Sequence, residues 1–281
     1  MDFRVMDDDV LFDLIEQAYD SAIDGQWNGL LDRISPAFGG SKVFLSATRE
    51  PEQGQHMICT THGLEDLLQG YMRQIHLDPC FQVVMQRPDE ALCMSDRIKP
   101  RLEASPVYRW YREMEADHAI GRVYPVKELS ALFAINRTAR QRQYNAGEQA
   151  GFSVLSSHVG GAVRTARALA DQVHQRLCQW DADKVNNDAA LAIVRADGSP
   201  VFISRAMEQL LESDGPLRWF RGCLKLKDPW HDLILARAHL LAVNTKVTRR
   251  FGSSIPVGER RMQVIPLSAS VYENASLWLI S

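Results

Sequence analysis

Long hydrophobic runs are missing from this chain of 281 residues. No stretch approaches the ~18 uninterrupted apolar residues that a membrane helix needs, and the mean hydropathy is -0.23. A secretory leader is not expected either, because Met1 to Asp9 is acidic where a leader is basic and then apolar. A basic surplus is also lacking: 32 Lys and Arg stand against 35 Asp and Glu, a net charge of -3. A stand-alone DNA-binding domain carries such a surplus to neutralise phosphates, so this chain by itself is not expected to bind duplex DNA specifically. Cysteine is sparse, and Cys59, Cys80, Cys93, Cys178 and Cys223 form no CxxC pair. They read as reduced thiols, which points to a cytoplasmic protein. There is no Walker loop, GxGxxG, GxSxG or HExxH, so nucleotide, hydrolase-elbow and zincin chemistry have no carrier. Cys59 and His62 give the only metal-like spacing, two ligands short of a zinc site. Cys80 and Cys93 near His76 offer a nucleophile and a base on paper, although cysteines are more often small buried hydrophobes.

What is present is a globular composition, with 46% hydrophobic and 24% charged residues, long enough for about two domains. Val10, Leu11, Leu14, Ile15, Ala18, Tyr19 and Ala22 form an apolar stripe of period 3.6, so the first element is a helix. Asp7 to Asp9 supply its cap and Gly25 its end. A second helix follows from Trp27, then strands at 42–47 and 55–60. The pattern predicts one helix over 64–77, stopped by Asp78-Pro79, and another from Ser105-Pro106 to about Asp117. Strands at 120–126 and 130–136, joined at Lys127-Glu128, complete an α+β layer of one antiparallel sheet with flanking helices over 1–144.

Asn145-Ala146-Gly147-Glu148 reads as a capping box. From it runs a heptad-like seam of Phe152, Leu155, Val159, Ala162, Ala166, Leu169, Val173, Leu177 and Trp180, the helical connector 145–185. The seam serves both local packing and the pairing of two copies into a homodimer. Residues 186–281 form a second α+β domain. It has strands at 191–196 and 200–203 around Asp197-Gly198, helices at 205–211 and 231–243, and strands at 249–253, 259–266 and 275–281.

The chemistry that remains is aromatic and acidic. Tyr71 and Asp78, seven residues apart, share a helix face; Tyr108, Trp110 and Tyr111 crowd the next helix; Tyr124 and Phe133 lie on the strands beyond. Aromatics between a sheet and helices, with one carboxylate, are how a small-molecule pocket is lined. The same residues read equally as core, with Asp78 capping the turn before Pro79. An enzyme using Asp78 and His76 as an acid–base pair, or a dimerisation module without a ligand, are the rival functions. The sequence names no cofactor or metal, and no membrane partner.

Residues 11–180 resemble the N-terminal sensory half of bacterial LuxR-type transcriptional regulators. The similarity rests on Ala22-Ile23-Asp24-Gly25-Gln26-Trp27, Gly70-Tyr71, Leu77-Asp78-Pro79, Ser105-Pro106-Val107-Tyr108, Gly121 and Ser157-His158-Val159. Residues 186–281 resemble a PAS-like domain. The resemblance implies a GAF-like sensory domain, a connector and a PAS-like domain, in a protein that binds a small molecule and controls an output domain. It implies that Asp78 bonds a ligand amide. The tryptophan that the autoinducer-binding branch carries a little before this aspartate is absent, Tyr71 being the nearest aromatic. Such regulators reach DNA through a C-terminal helix-turn-helix domain, which this chain does not contain.

Overall fold

The computed structural model describes residues 7–39, 42–49, 56–61, 63–88, 90–94, 98–126, 129–182, 190–213, 215–244, 253–267 and 275–280. The chain divides into two compact units, Met1–Thr165 and Ala166–Ser281. The border falls inside one long helix rather than at either end of the expected connector.

The first unit opens with α1 (Asp8–Asp24) and α2 (Trp27–Ala37). Asp7 caps α1 by accepting from the Asp9 N–H, and Gly25 ends it at φ 76°, a left-handed turn that suits glycine. Strands β1 (Lys42–Arg49), β2 (His56–Thr60), β3 (Leu92–Cys93), β4 (His118–Val126) and β5 (Leu129–Arg137) form an antiparallel sheet in the order β2-β1-β5-β4-β3. Between them lie α3 (Glu65–Met72), a 3-10 turn (Ile75–Leu77), α4 (Pro79–Gln86), α5 (Lys99–Glu103) and α6 (Tyr108–Glu113).

Two expected helices are therefore broken. The helix expected over 64–77 ends at Met72, and Pro79, read as a stop, is the first residue of α4. Proline fits that position because the N–H it lacks would have no helical partner there, and it holds Asp78 extended. The helix expected from Ser105 starts at Tyr108 and is preceded by α5, which the sequence reading missed.

Helix α7 (Ala146–Ala182) begins at the capping box: Asn145 Oδ1 accepts from the Glu148 N–H (2.8 Å), and Glu148 accepts from the Asn145 N–H (2.9 Å). Its seam is used twice within the chain. Phe152, Leu155, Val159 and Ala162 are buried in the first unit. Leu177 and Trp180 pack with Leu191, Ile193, Phe202 and Ala275 in the second.

The second unit contains β6 (Ala190–Arg195), β7 (Pro200–Ile203), α8 (Arg205–Glu212), β8 (Leu217–Phe220), β9 (Cys223–Leu226), α9 (Pro229–Asn244), β10 (Ser253–Val257), β11 (Arg260–Pro266) and β12 (Ala275–Ile280). Its sheet runs β10-β11-β12-β6-β7, and β8 and β9 form a separate hairpin. Met207, Leu235, Ala238, Val264, Trp278 and Ile280 form the core of this unit with Ala192 and Leu224. The strand expected at 249–253 lies outside the described residues except for Ser253, and so do the turn Lys127-Glu128 and His62 with the side chain of Cys59. Among the described residues no helix is long and apolar enough to cross a membrane.

Candidate functional site

Both faces of the first sheet are covered. On one, Phe133 stacks on Phe152 of α7 with centroids 5.2 Å apart, and Phe38 meets the same ring edge-on. On this face Arg137, 3% exposed, donates to both Glu148 oxygens and to the Phe38 carbonyl. On the other, Phe44, Val123, Leu132 and Ala134 join Leu68, Tyr71, Val84, Leu102 and Tyr111 in a separate core. The period of two along a strand produces this division: Leu132, Ala134 and Asn136 point one way, Phe133, Ile135 and Arg137 the other.

On that second side lies a cavity of about 60 Å³. Phe44, Phe81, Val84, Leu92, Met94 and Leu132 are among its apolar walls; Asp78, Tyr71, Tyr111, Cys80, Cys93 and Asn136 also line it. Asp78 is fully buried and its carboxylate is held by three protein donors. Oδ1 accepts from the Cys80 N–H at 2.7 Å, the N-cap bond of α4. Oδ2 accepts from the Tyr111 hydroxyl at 2.8 Å and from the Tyr71 hydroxyl. Tyr71 and Asp78 meet because the 3-10 turn folds the chain back, not because two turns of one helix align them.

Burial raises both tyrosine pKa values well above the ordinary range, reinforced at Tyr71 by the field of the Asp78 carboxylate and at Tyr111 by Tyr71 and then Asp78. Both hydroxyls therefore stay protonated and donate. Burial, reinforced by Asp78, pushes the Cys80 thiol up to about 12, and burial pushes Cys93 up to about 11. Neither thiol is an available nucleophile near neutral pH.

Of the residues expected to line a pocket, Tyr71, Asp78 and Tyr111 meet at this cavity. Tyr108 and Trp110 are partly buried against the same core without lining it. Trp110 instead covers Gly70, where a Cβ would run into the indole, and its Nε1 donates to Gln74. Tyr124 and Phe133 need correction, for both face α7 on the opposite side of the sheet. Tyr124 lies against Gly160 and Phe133 on Phe152. His76 is exposed on the 3-10 turn and does not line the cavity.

Sequence reasoning missed Asn136. It is 4% exposed and lines the cavity from β5, and among the described residues no hydrogen bond reaches its side-chain amide. Among the described residues no group of three or more His, Cys, Asp or Glu could hold a metal ion.

No protein-family model and no curated protein matches the chain. Among solved structures, it is similar to CepR2, an N-acylhomoserine lactone dependent LuxR family transcriptional factor from Burkholderia cenocepacia. The identity is 10%, over 54% of this chain and 91% of that one, at a TM-score of 0.42. Escherichia coli SdiA matches at 11% identity over 58% of this chain and 79% of its own, with a TM-score of 0.39. The E. coli DhaR(N)–DhaL complex matches at 10% identity over 95% of this chain and 86% of that chain, with a TM-score of 0.30.

Proposed function

We propose that the first unit is the small-molecule-sensing domain of a cytoplasmic regulatory protein of LuxR type, GAF-like in architecture, and that its ligand binds in the cavity under the sheet. The observation that carries the reading is that cavity: apolar walls around a small set of convergent polar groups, in a domain whose other core is separate. A binder is favoured over an enzyme because the two thiols are held protonated and Asp78 is tied to three donors, away from the exposed His76. The second unit is read as a PAS-like module: its strand order, second–first–fifth–fourth–third, with α8 and α9 inserted between the second and third strands of that sheet, supports this.

Output passes through α7, and two copies pair along the stretch of that helix between its two packed ends, where Leu169 is exposed. Any contact with DNA belongs to a helix-turn-helix domain beyond this chain. Native mass spectrometry of protein purified from its host, with a thermal-shift screen against neutral metabolites, tests the reading. A bound mass or a saturable stabilisation supports it; a protein that is empty and unmoved by every compound contradicts it. For the pairing, Leu169→Glu is the informative change. Leu177→Glu would also disrupt the second unit's own packing, so monomer formation by that variant says little.

A further inference from the structure

The cavity of the first unit is lined by a side-chain amide, that of Asn136, which no described residue hydrogen-bonds. Asn136 sits near the end of β5, opposite Lys42 on β1 and Ala119 on β4. Strand alternation turns its side chain to the cavity with Leu132 and Ala134. The polar group nearest in register, the Lys42 ammonium, is engaged elsewhere, donating to the Met114 carbonyl at 2.8 Å and to Glu115. An amide that faces a cavity without a protein partner offers both its donor and its acceptor to whatever fills that space. Asp78 is the reverse case. Three donors from the protein already occupy its carboxylate, and two of them come from tyrosines that burial keeps protonated.

We propose, resting on the reading that this cavity takes a small molecule, that Asn136 rather than Asp78 is the ligand's hydrogen-bond anchor. The ligand is a small, neutral, mainly apolar molecule bearing a ring amide. A carboxamide presents an acceptor and a donor side by side, and the group that pairs with both at once is another amide whose N–H and C=O lie on one edge, as in a lactam. Neutrality follows from the walls. An anion would face the Asp78 carboxylate, and a cation would be desolvated among Phe44, Phe81, Leu92 and Met94 with the one carboxylate already engaged. Size follows from the volume: about 60 Å³ accommodates a single ring only if it fills the space and reaches the mouth.

The test uses the full chain and three single-ring probes: 2-pyridone, 1-methyl-2-pyridone, which lacks the N–H, and benzene, which lacks both polar groups. Binding is followed by ligand-observed NMR and by thermal shift on the unmodified protein and on Asn136→Leu. The expected result is that 2-pyridone binds the unmodified protein at least about tenfold more tightly than either analogue. Asn136→Leu should erase that preference, favour benzene, and melt at or above the temperature of the parent. Benzene binding with no preference for 2-pyridone overturns the role of Asn136 and leaves the cavity reading standing. So does a preference that survives Asn136→Leu. If none of the three probes binds the unmodified protein, the cavity reading falls and this inference with it. Should the leucine variant not fold, Asn136→Ser takes its place in the same comparison of the three probes.

Discussion

Asp78→Asn isolates the group on which the cavity is framed. The change keeps the size of the side chain and exchanges one acceptor for a donor, and its cost is calculable from the three bonds. If the amide oxygen stays toward Cys80, the cap of α4 survives. The new NH2 then meets the Tyr71 and Tyr111 hydroxyls, which must turn to accept and leave both their hydrogens buried without acceptors. If the amide flips, the tyrosines keep an acceptor, but a neutral one, and the NH2 opposes the Cys80 N–H. That orientation loses the cap, about 1 kcal/mol, and about 1 kcal/mol from each hydroxyl bond that is no longer charge-assisted. Either way the empty protein should lose about 2–4 kcal/mol, a large part of a typical domain's stability. Urea unfolding of the ligand-free protein, followed by tyrosine and tryptophan fluorescence, measures it. Tyr111→Phe made alone and together with Asp78→Asn closes a double-mutant cycle that should show coupling well above 0.5 kcal/mol. A loss below about 0.5 kcal/mol for Asp78→Asn would refute the framing role and return the carboxylate to a ligand.

Three further changes probe the rest of the chain. Glu148→Gln should cost about 3–5 kcal/mol in denaturant unfolding, because it leaves the Arg137 guanidinium, 3% exposed, without its counter-charge. Burial opposes the Glu148 charge, but bonds from Arg137 and the Asn145 N–H, with the fields of Arg137 and Arg142, outweigh it and hold its pKa below the ordinary value. The native state thus binds fewer protons there than the unfolded chain. Stability is full above a pH of about 4.3 and drains as the pH falls through the depressed pKa, a slope that Glu148→Gln should flatten. Gly160→Ala would set a Cβ 2.5 Å from the Tyr124 ring and should cost about 1–3 kcal/mol, with Tyr124→Leu recovering part of it in the double variant. In the second unit, His239 Nε2 donates to the Arg195 carbonyl (2.7 Å), so neutral Nδ1 accepts from the Ser276 hydroxyl (2.8 Å). Burial leads the causes that lower its pKa, and the unfolded chain takes up the proton first. Melting of this unit should therefore fall as pH drops below about 6.5, and less so in His239→Gln.

The elements that could be read from the sequence were those whose signal is local. Asp7 and Gly25 bound α1, and Asn145 with Glu148 opens α7, because a cap is settled by two or three neighbouring residues. The β8–β9 hairpin was missed for an equally local reason. Its two turn residues, Arg221 and Gly222, both have positive φ (52° and 79°), but the usual asparagine or aspartate of such a turn is replaced by arginine. Which face Tyr124 and Phe133 take is not legible in the sequence, because this sheet is buried on both sides. Ala131 to Ile135 is apolar throughout, and the one charged residue of Ile120 to Tyr124, Arg122, is itself buried, so alternation in polarity could not show which residues face which helices. Asn136 carried no signal at all. Its position depends on three strands meeting in register and on Lys42 being occupied with Met114, facts that exist only after folding.

The same parity that hid those faces also ties the cavity to the long helix. Asn136 and Arg137 are consecutive on β5 and project to opposite sides of one sheet. Asn136 opens on the cavity. Arg137 holds the Phe38 carbonyl at the end of α2 and the carboxylate of Glu148 in the first turn of α7. One peptide joins the two residues, so the wall of the cavity and the anchor of α7 belong to the same stretch of β5. The stacked pair Phe133–Phe152 and the bidentate Arg137–Glu148 bond hold that face of the sheet on α7. The cavity and the first turn of α7 are therefore contacted by two adjacent residues of one strand.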